Sequence, residues 1–480
     1  MPDTPPALLW FRDDLRLGDH PALTRASATG LPLLCVYVID ESGATRAPGA
    51  ALKWWLHGAL AALRKALEER GGTLLVLNGD PETLIPALAE RSGAEQLFCH
   101  YRYQEEARQQ DDRIAEALSE RKCTMIRSHG TLLRPPESVA TKSGTPYRVF
   151  GAWWKAFRAC GEPAKPCGIP DRLSFARVPS LEGGFRPARE EDLLLPRHPD
   201  WSGGLQAQWE PGEEAALEAL SDFVTHGLTT YESGRNELAA DGSARLSPYL
   251  NLGVLSPRQV WHRCLGKGRP EDRECFLSEL GWRDFSWYVL FHQPQLPYRN
   301  LKPEFDRLIW RTDPAALNAW QKGRTGIPVV DAGMRQLWET GWMHNRARMI
   351  VASFLVKHLL IDWREGEAWF RDTLVDADVA SNAVNWQWVA GTGIEASPFF
   401  RIFNPVRQAA TFDPHGDYIR RWVPELSDLP DEAIAAPWDA PEATLRKAGV
   451  TLGETYPAPI VDLGIGRDRA MKAYRATRRS

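Results

Sequence analysis

Sulfur is scarce in this chain and nowhere arranged for bonding or metal: seven cysteines in 480 residues, an odd number without a C-x-x-C pair. That excludes a disulfide framework and a zinc site and points to a reducing compartment. A membrane span is missing too, since the apolar run at 31–39 is far too short to cross a bilayer. The opening MPDTPPALLWFRDDL lacks the basic segment and apolar stretch of a secretion signal. A cytoplasmic protein with no membrane partner is expected. Nor is there an excess of positive charge: 58 Lys and Arg against 62 Asp and Glu give a formal net charge of −4. Nucleic acid would have to meet a local basic patch. Internal repeats and low-complexity tracts are also lacking.

Tryptophan, by contrast, is abundant. There are 20, against 11 Tyr and 6 Met. They recur beside Asn, Arg and Asp after residue 250, for example in NWQW (385–388). Buried indole carries an N–H that needs a partner, so such use suggests a role for the ring itself: stacking on a flat ligand or passing electrons. A Trp-rich helical core is the alternative for any single one.

Residues 7–128 alternate strand-like runs (7–11, 31–39, 73–78, 95–100, 124–128) with amphipathic stretches at 49–70 and 104–121. This predicts an α/β, Rossmann-like parallel sheet with helices on both sides. After the first strand stands WFRDDLRLGD, not G-x-G-x-x-G, so no dinucleotide is assigned to the sheet. The Pro- and Gly-rich stretch 134–205 reads as a connector that wraps the surface or carries short helices. An all-α pattern follows. The expected division is 1–133, 134–205 and 206–480.

Two Ser-Pro steps, Ser247-Pro248 and Ser256-Pro257, read as helix starts with serine as N-cap. Ser243 and Arg245 just upstream would suit a phosphate, although capping alone accounts for the pattern. Glu279, Trp282 and Arg283 share one helical face and could read a base, or simply form an Arg–Glu pair. Asn345, Arg348 and Met349 share another face, with Trp342 one turn before. DADVASNAVNWQW resembles the start of a calcium loop, but Ser381 replaces its glycine. Asp376, Asp378 and Asn382 are better read as partners of a polar heterocycle, and no metal is assigned. ASPFFRIFNPVRQAA (396–410) is an aromatic-and-basic strip of the kind that holds nucleic acid.

Together, WFRDDLRLGDHPAL, RLSPYLNLGVLSPR, ELGWRDF, GWMHNRARM, SFLVKHLLIDWREGE and DADVASNAVNWQW resemble the photolyase/cryptochrome family in order and spacing, over essentially the whole chain. His20 stands where Asn is more usual. The resemblance implies an α/β antenna domain, a connector and a helical domain holding bent FAD. By position it implies that Tyr231, Ser243, Ala244, Arg245, Leu246 and Ser247 bind the flavin phosphates. Arg348, Asp376, Ala377 and Asp378 would contact its ring and ribose, and Asn382 would face the reactive ring nitrogen. Trp386, Trp363 and Trp310, in that order outward, would form the tryptophan chain that reduces the flavin in light. Glu279, protonated in an apolar pocket, would join Trp282, Asn345, Met349 and Trp388 around the lesion. Arg235, Arg283, Arg346, Arg401 and Gln408 would lie near DNA.

Four marks within the family point to repair of cyclobutane pyrimidine dimers: both Trp282 and Trp388; Asn345 and Met349 where (6-4) enzymes carry His; Asn382 where plant-type cryptochromes carry Asp; and no long polar tail. A monomer is expected. A blue-light photoreceptor is the alternative, and a flavin oxidoreductase is a third reading that lacks a nicotinamide fingerprint. Phe276 stands where Trp is common. The Asn-Glu pair of one folate-binding subgroup is missing from YRYQEEARQQD (101–111). An antenna chromophore would use Arg12, Asp40, Glu41 and Tyr101 at the strand ends and the rings of Trp54 and Trp55. Here 5,10-methenyltetrahydrofolate is favoured slightly over 8-hydroxy-5-deazaflavin.

Overall fold

The structure, a computed structural model, describes residues 4–180, 185, 201–240 and 242–477. Five parallel strands form one sheet: β1 (Ala7–Phe11), β2 (Leu33–Asp40), β3 (Leu74–Gly79), β4 (Gln96–His100) and β5 (Thr124–Ser128), in the order β3-β2-β1-β4-β5. β1 is buried along its whole length, as a central parallel strand covered on both faces must be. Helices Pro21–Ser27, Ala50–Glu68, Pro81–Ser92 and Glu105–Glu120 fill the connections. The expected elements are present with ends shifted by one or two residues. The order reverses between β1 and β4, so the loops after Phe11 and His100 diverge and leave a cleft.

The expected connector is more ordered than its composition implies, carrying helix Phe150–Ala159. Its residues 181–184 and 186–200 lie outside those described. The remainder is helical, and helices Pro257–Cys264, Pro270–His292, Pro328–Thr340 and Pro405–Phe412 each start on a proline whose missing N–H costs nothing there.

One face of the sheet packs a core of its own around Leu8, Trp10 and Ile114. The other face shares a continuous core with the helical part, running from Leu9 and Phe11 through Trp55 to Trp261, Leu277 and Phe285. A further core gathers Trp320, Trp363 and Trp386.

The segment after β1 shows what replaces a phosphate loop. Arg16 donates to the carbonyls of Asp19, Gly130 and Gly253, while Asp19 accepts two hydrogen bonds from Arg258 at 2.8 and 3.0 Å. These buried charges stitch the α/β unit to the helices.

Candidate active site

A cavity of about 570 Å3 opens among helices Pro270–His292, Asn345–Ser353 and Val379–Ala390 and the segment before Ser247–Asn251. Tyr231, Ser243, Ala244, Arg245, Leu246, Ser247, Arg348, Asp376, Ala377, Asp378 and Asn382 all line it. So do Arg235, Glu279, Trp282, Arg283, Asn345, Arg346, Met349, Trp386 and Trp388. Residues spread over some 150 positions therefore surround one space. Its size suits a cofactor-scale ligand.

The phosphate-side stretch is built by backbone strain. Arg245 has φ +49, in the left-handed region that non-glycine residues rarely adopt. Its guanidinium lies 5.0 Å from the ring centre of Trp342. Ser247 does not cap its helix as expected. The N-cap is Leu246, and the Ser247 hydroxyl donates to Asp376 at 2.7 Å. Only the second Ser-Pro step caps, with Ser256 and Gln259 forming a full capping box. Helix Asn345–Ser353 starts after Trp342, which therefore precedes it rather than occupying its previous turn.

Asp376 is gripped by Arg348 at 3.1 and 2.8 Å. Asp378 caps helix Val379–Ala390 through Ser381 N–H and accepts from the Trp287 indole, each bond 2.7–2.8 Å. Both of its oxygens thus already hold donors. Asn382 donates through Nδ2 to the main-chain and side-chain oxygens of Glu367, at 3.1 and 2.9 Å.

Glu279 differs from expectation. It is one-third exposed and paired with Arg235 at 2.5 Å, so its surroundings are not purely apolar. Arg283 faces inward, donating to the carbonyls of Thr131 and Leu250. That position joins the two parts of the molecule and leaves little for a phosphate. Trp282 lies 3.8 Å from Phe150, the planes 12° apart, so one indole face is covered while the ring also borders the cavity. Phe150 comes from the connector and escaped the sequence analysis, as did Glu367, which sat unremarked within DWREGE.

Positive charge concentrates here despite the net −4. Burial first, then the charges of Arg346, Arg348, Arg245 and Arg235, pull His344 down to about 4. Arg346 is lowered by burial and by its neighbours Arg235 and Arg401. Arg401 and Gln408 lie outside the cavity lining, on the 396–412 segment. Phe399 of that strip is core while Phe400 is exposed.

Trp386 and Trp363 are buried and Trp310 is partly so. Trp386 meets Phe370 at 5.0 Å and Trp320 at 6.2 Å, and its Nε1 has no hydrogen-bond partner among the described residues. Trp363 donates to Asn300 at 2.9 Å. Gly366 permits this packing, because a Cβ there would stand 2.1 Å from the Trp386 ring.

The strand-end cleft is narrow, about 40 Å3, room for about three waters and far less than a pigment needs. Arg12 is bound to Asp111, and Tyr101 stacks on His129. Trp55 is fully buried, edge-on against Trp209 and Tyr249, and offers no ring face. Trp54 is only partly buried. Beside the cleft, His20 and His100 surround Asp14 at 3.3 and 2.6 Å. Their far nitrogens accept backbone N–H groups of Leu23 and Ala22. Burial pulls the His100 ring down to about 3, so it is neutral and its Nδ1 carries the proton shared with Asp14 at 2.6 Å, which suits a hydrogen-bond network.

The fold and this cavity define a flavin-binding α/β-plus-helical protein of the light-driven repair and signalling class. The chain belongs to the DNA photolyase family: residues 7–171 match the DNA photolyase model and residues 276–476 match the FAD binding domain of DNA photolyase. It is 47% identical to a deoxyribodipyrimidine photo-lyase of Agrobacterium fabrum, over 99% of both chains. It is 34% identical to cryptochrome-1 of Arabidopsis thaliana, over 97% of this chain and 70% of that one. A bacterial class III photolyase from Agrobacterium tumefaciens superposes with a TM-score of 0.95 at 46% identity, covering 99% of this chain and 98% of the other. A Synechocystis cryptochrome gives 0.89 at 31%, covering 98% and 99%.

Proposed function

We propose that the protein is a deoxyribodipyrimidine photo-lyase that splits cyclobutane pyrimidine dimers in DNA with light. The observation that carries this is one cavity bordered by both Trp282 and Trp388 and containing Arg348, Asp376 and Asn382. The photolyase relatives, 47% and 38% identical over nearly the full chain, support repair over the photoreceptor reading.

The residues fit FAD. Ser243, Arg245 and Ser247 supply hydroxyls and a cation for its phosphates, Arg348 and Asp376 flank the ring side, and Asn382 offers an amide oxygen. Bound in reduced form, FAD supplies the light-excited electron. The protein does the rest. Arg235, Arg346 and Arg401 attract DNA phosphates, with an affinity that falls as salt rises. The dimer is taken out of the duplex, as base-flipping enzymes including photolyases do. The free faces of Trp282 and Trp388 receive it, each stacking contact contributing about 1–3 kcal/mol. Glu279, Asn345 and Met349 line its seat; Glu279 holds Arg235 through Oε1 and keeps Oε2 for the dimer. Trp310, Trp363 and Trp386 pass replacement electrons inward, from the surface to the cavity.

We assign 1–133 to an antenna domain, 134–205 to a connector and 206–480 to the FAD and repair domain of a cytoplasmic monomer. No helix among the described residues is long and apolar enough to cross a membrane. An antenna pigment, methenyltetrahydrofolate ahead of a deazaflavin, requires the strand-end cleft to open. The functional test is repair of a dimer-containing oligonucleotide under blue light and in the dark. Light-dependent loss of dimers is expected. Photoreduction without repair would favour a photoreceptor.

A further inference from the structure

Asn382 is held by a residue that is itself held from the other half of the molecule. Glu367, on helix Trp363–Thr373, is 2% exposed, and its two oxygens accept from both terminal nitrogens of Arg46 at 2.7 and 2.5 Å. Oε1 is shared, since it also accepts from Asn382 Nδ2 at 2.9 Å. Arg46 belongs to the loop between β2 and the next helix, in the α/β unit. That loop is seated firmly. Arg371 donates to Ala47 O, Ala50 N–H donates to Asp372, and a Cβ on Gly49 would stand 2.0 Å from Arg371 O.

We propose that Arg46 is a positioning residue for the flavin: through Glu367 it fixes the Asn382 amide and cancels the carboxylate charge beside the ring. The inference rests on the flavin-binding reading of the cavity. Two physical consequences follow. Turning the amide over would set Oδ1 against a carboxylate, so the Nδ2-to-Glu367 orientation is enforced. Asn382 Oδ1 has no donor among the described residues and remains for a ring N–H, the form a reduced flavin presents. Secondly, a buried Glu367 without Arg46 would place an uncompensated negative charge behind Asn382 and oppose a reduced, anionic cofactor. The α/β unit therefore contributes to flavin chemistry by an ion pair and not only by carrying a pigment.

The test uses the FAD-loaded protein and reads the flavin midpoint potential by spectroelectrochemical titration, with FAD content and melting temperature alongside. Arg46→Ala should lower the potential, disfavouring reduction about tenfold, or about 59 mV for one electron. Arg46→Lys should recover part of that shift, because it keeps charge but loses the two-pronged geometry. Glu367→Gln should move the potential upward, since Arg46 then stands unbalanced. A merely structural role would not give opposite signs. Arg371→Ala, which loosens the same loop without touching Glu367, should leave the potential unchanged. The proposal is overturned if Arg46→Ala and Glu367→Gln both leave the potential in place, or if Arg371→Ala reproduces the Arg46→Ala shift. If Arg46→Ala does not fold, the upward shift of Glu367→Gln decides alone. Flavin absent from the unsubstituted protein would overturn the cofactor reading and this inference together, whereas flavin present without a shift overturns only the inference.

Discussion

Arg348 meets Asp376 end to end, Nη1 to Oδ1 at 3.1 Å and Nη2 to Oδ2 at 2.8 Å, with the carboxylate almost fully buried and the guanidinium about one-quarter exposed. This two-pronged pair ties helix Asn345–Ser353 to the strap before helix Val379–Ala390, across the space assigned to the cofactor.

Removing Arg348 leaves Asp376 buried with, among the described residues, only the Ser247 hydroxyl as a side-chain donor. Arg348→Ala should therefore destabilise the fold by about 2–4 kcal/mol, somewhat less than for a fully buried pair. It should also reduce bound FAD. Denaturant unfolding and the ratio of flavin to protein absorbance measure the two effects.

Electron supply is tested at Trp386. Trp386→Phe should abolish photoreduction of oxidised FAD, while chemically reduced enzyme still repairs dimers. Normal photoreduction would remove Trp386 from the relay and direct attention to the aromatic contacts through Phe370 and Trp320.

Stacking is tested at Trp282. Trp282→Ala should weaken binding to dimer-containing DNA by about 1–3 kcal/mol at unchanged FAD content. Phe150→Ala, which frees the covered indole face, should cause a smaller loss of the same kind. Equal loss of FAD in Trp282→Ala would mark the indole as core packing.

The pattern of successes and misses has physical causes. The strands were legible because parallel strands covered on both faces read as short continuous apolar runs. The cavity lining was legible because its residues sit in motifs that resemble a known family. Pairings across long separations were not. Arg46 and Glu367 are 321 positions apart, and Arg46 lies in no motif at all. Glu279 illustrates the same limit, since an apolar-looking helix face says nothing of the Arg235 opposite it. Trp54 and Trp55 differ by about 100° around a helix, so the amphipathic pattern cannot say which indole is core until the helical part is packed against it. Phe150 lay in a stretch whose composition reads as loop.

Three buried histidines outnumber one buried carboxyl of opposite effect, Asp284, which burial pushes up to about 7, and so set the sign of the response to acid. Burial, with a nearby positive or histidine neighbour in each case, pulls His100 down to about 3 and His344 and His358 to about 4. In the unfolded chain each titrates near about 6.5. Between those values the unfolded state binds more protons, so stability rises with pH. It is fully present above about 6.5 and lost as pH falls toward about 4, with each histidine contributing on the order of 1–2 kcal/mol by pH 5. Denaturant melts from pH 7.5 to 5 should show this slope, and His358→Gln should flatten it. A flat profile in the unsubstituted protein would show the rings to be less enclosed than the structure indicates.

The antenna is the sharpest test of the α/β unit. The strand-end cleft holds about 40 Å3, Arg12 is committed to Asp111, and Trp55 is sealed beneath Trp209. Of the two indoles expected to stack on a pigment, only Trp54 retains any exposure. If methenyltetrahydrofolate binds at the cleft, purified protein should absorb in the near ultraviolet beyond its FAD bands. Arg12→Ala should then diminish that band at unchanged FAD content, since it unlocks Asp111 and disorders the cleft wall. Trp55→Ala should instead lower overall stability by about 3–5 kcal/mol, the cost of deleting a large core side chain, without a selective effect on pigment. A near-ultraviolet band that survives Arg12→Ala would place the pigment elsewhere on the molecule. There the face-to-face surface indoles Trp201, Trp338 and Trp369 are the available stacking rings. Flavin bands alone, unchanged after incubation with folate or deazaflavin, would mean that the sheet serves the repair domain as scaffold and not as a light collector.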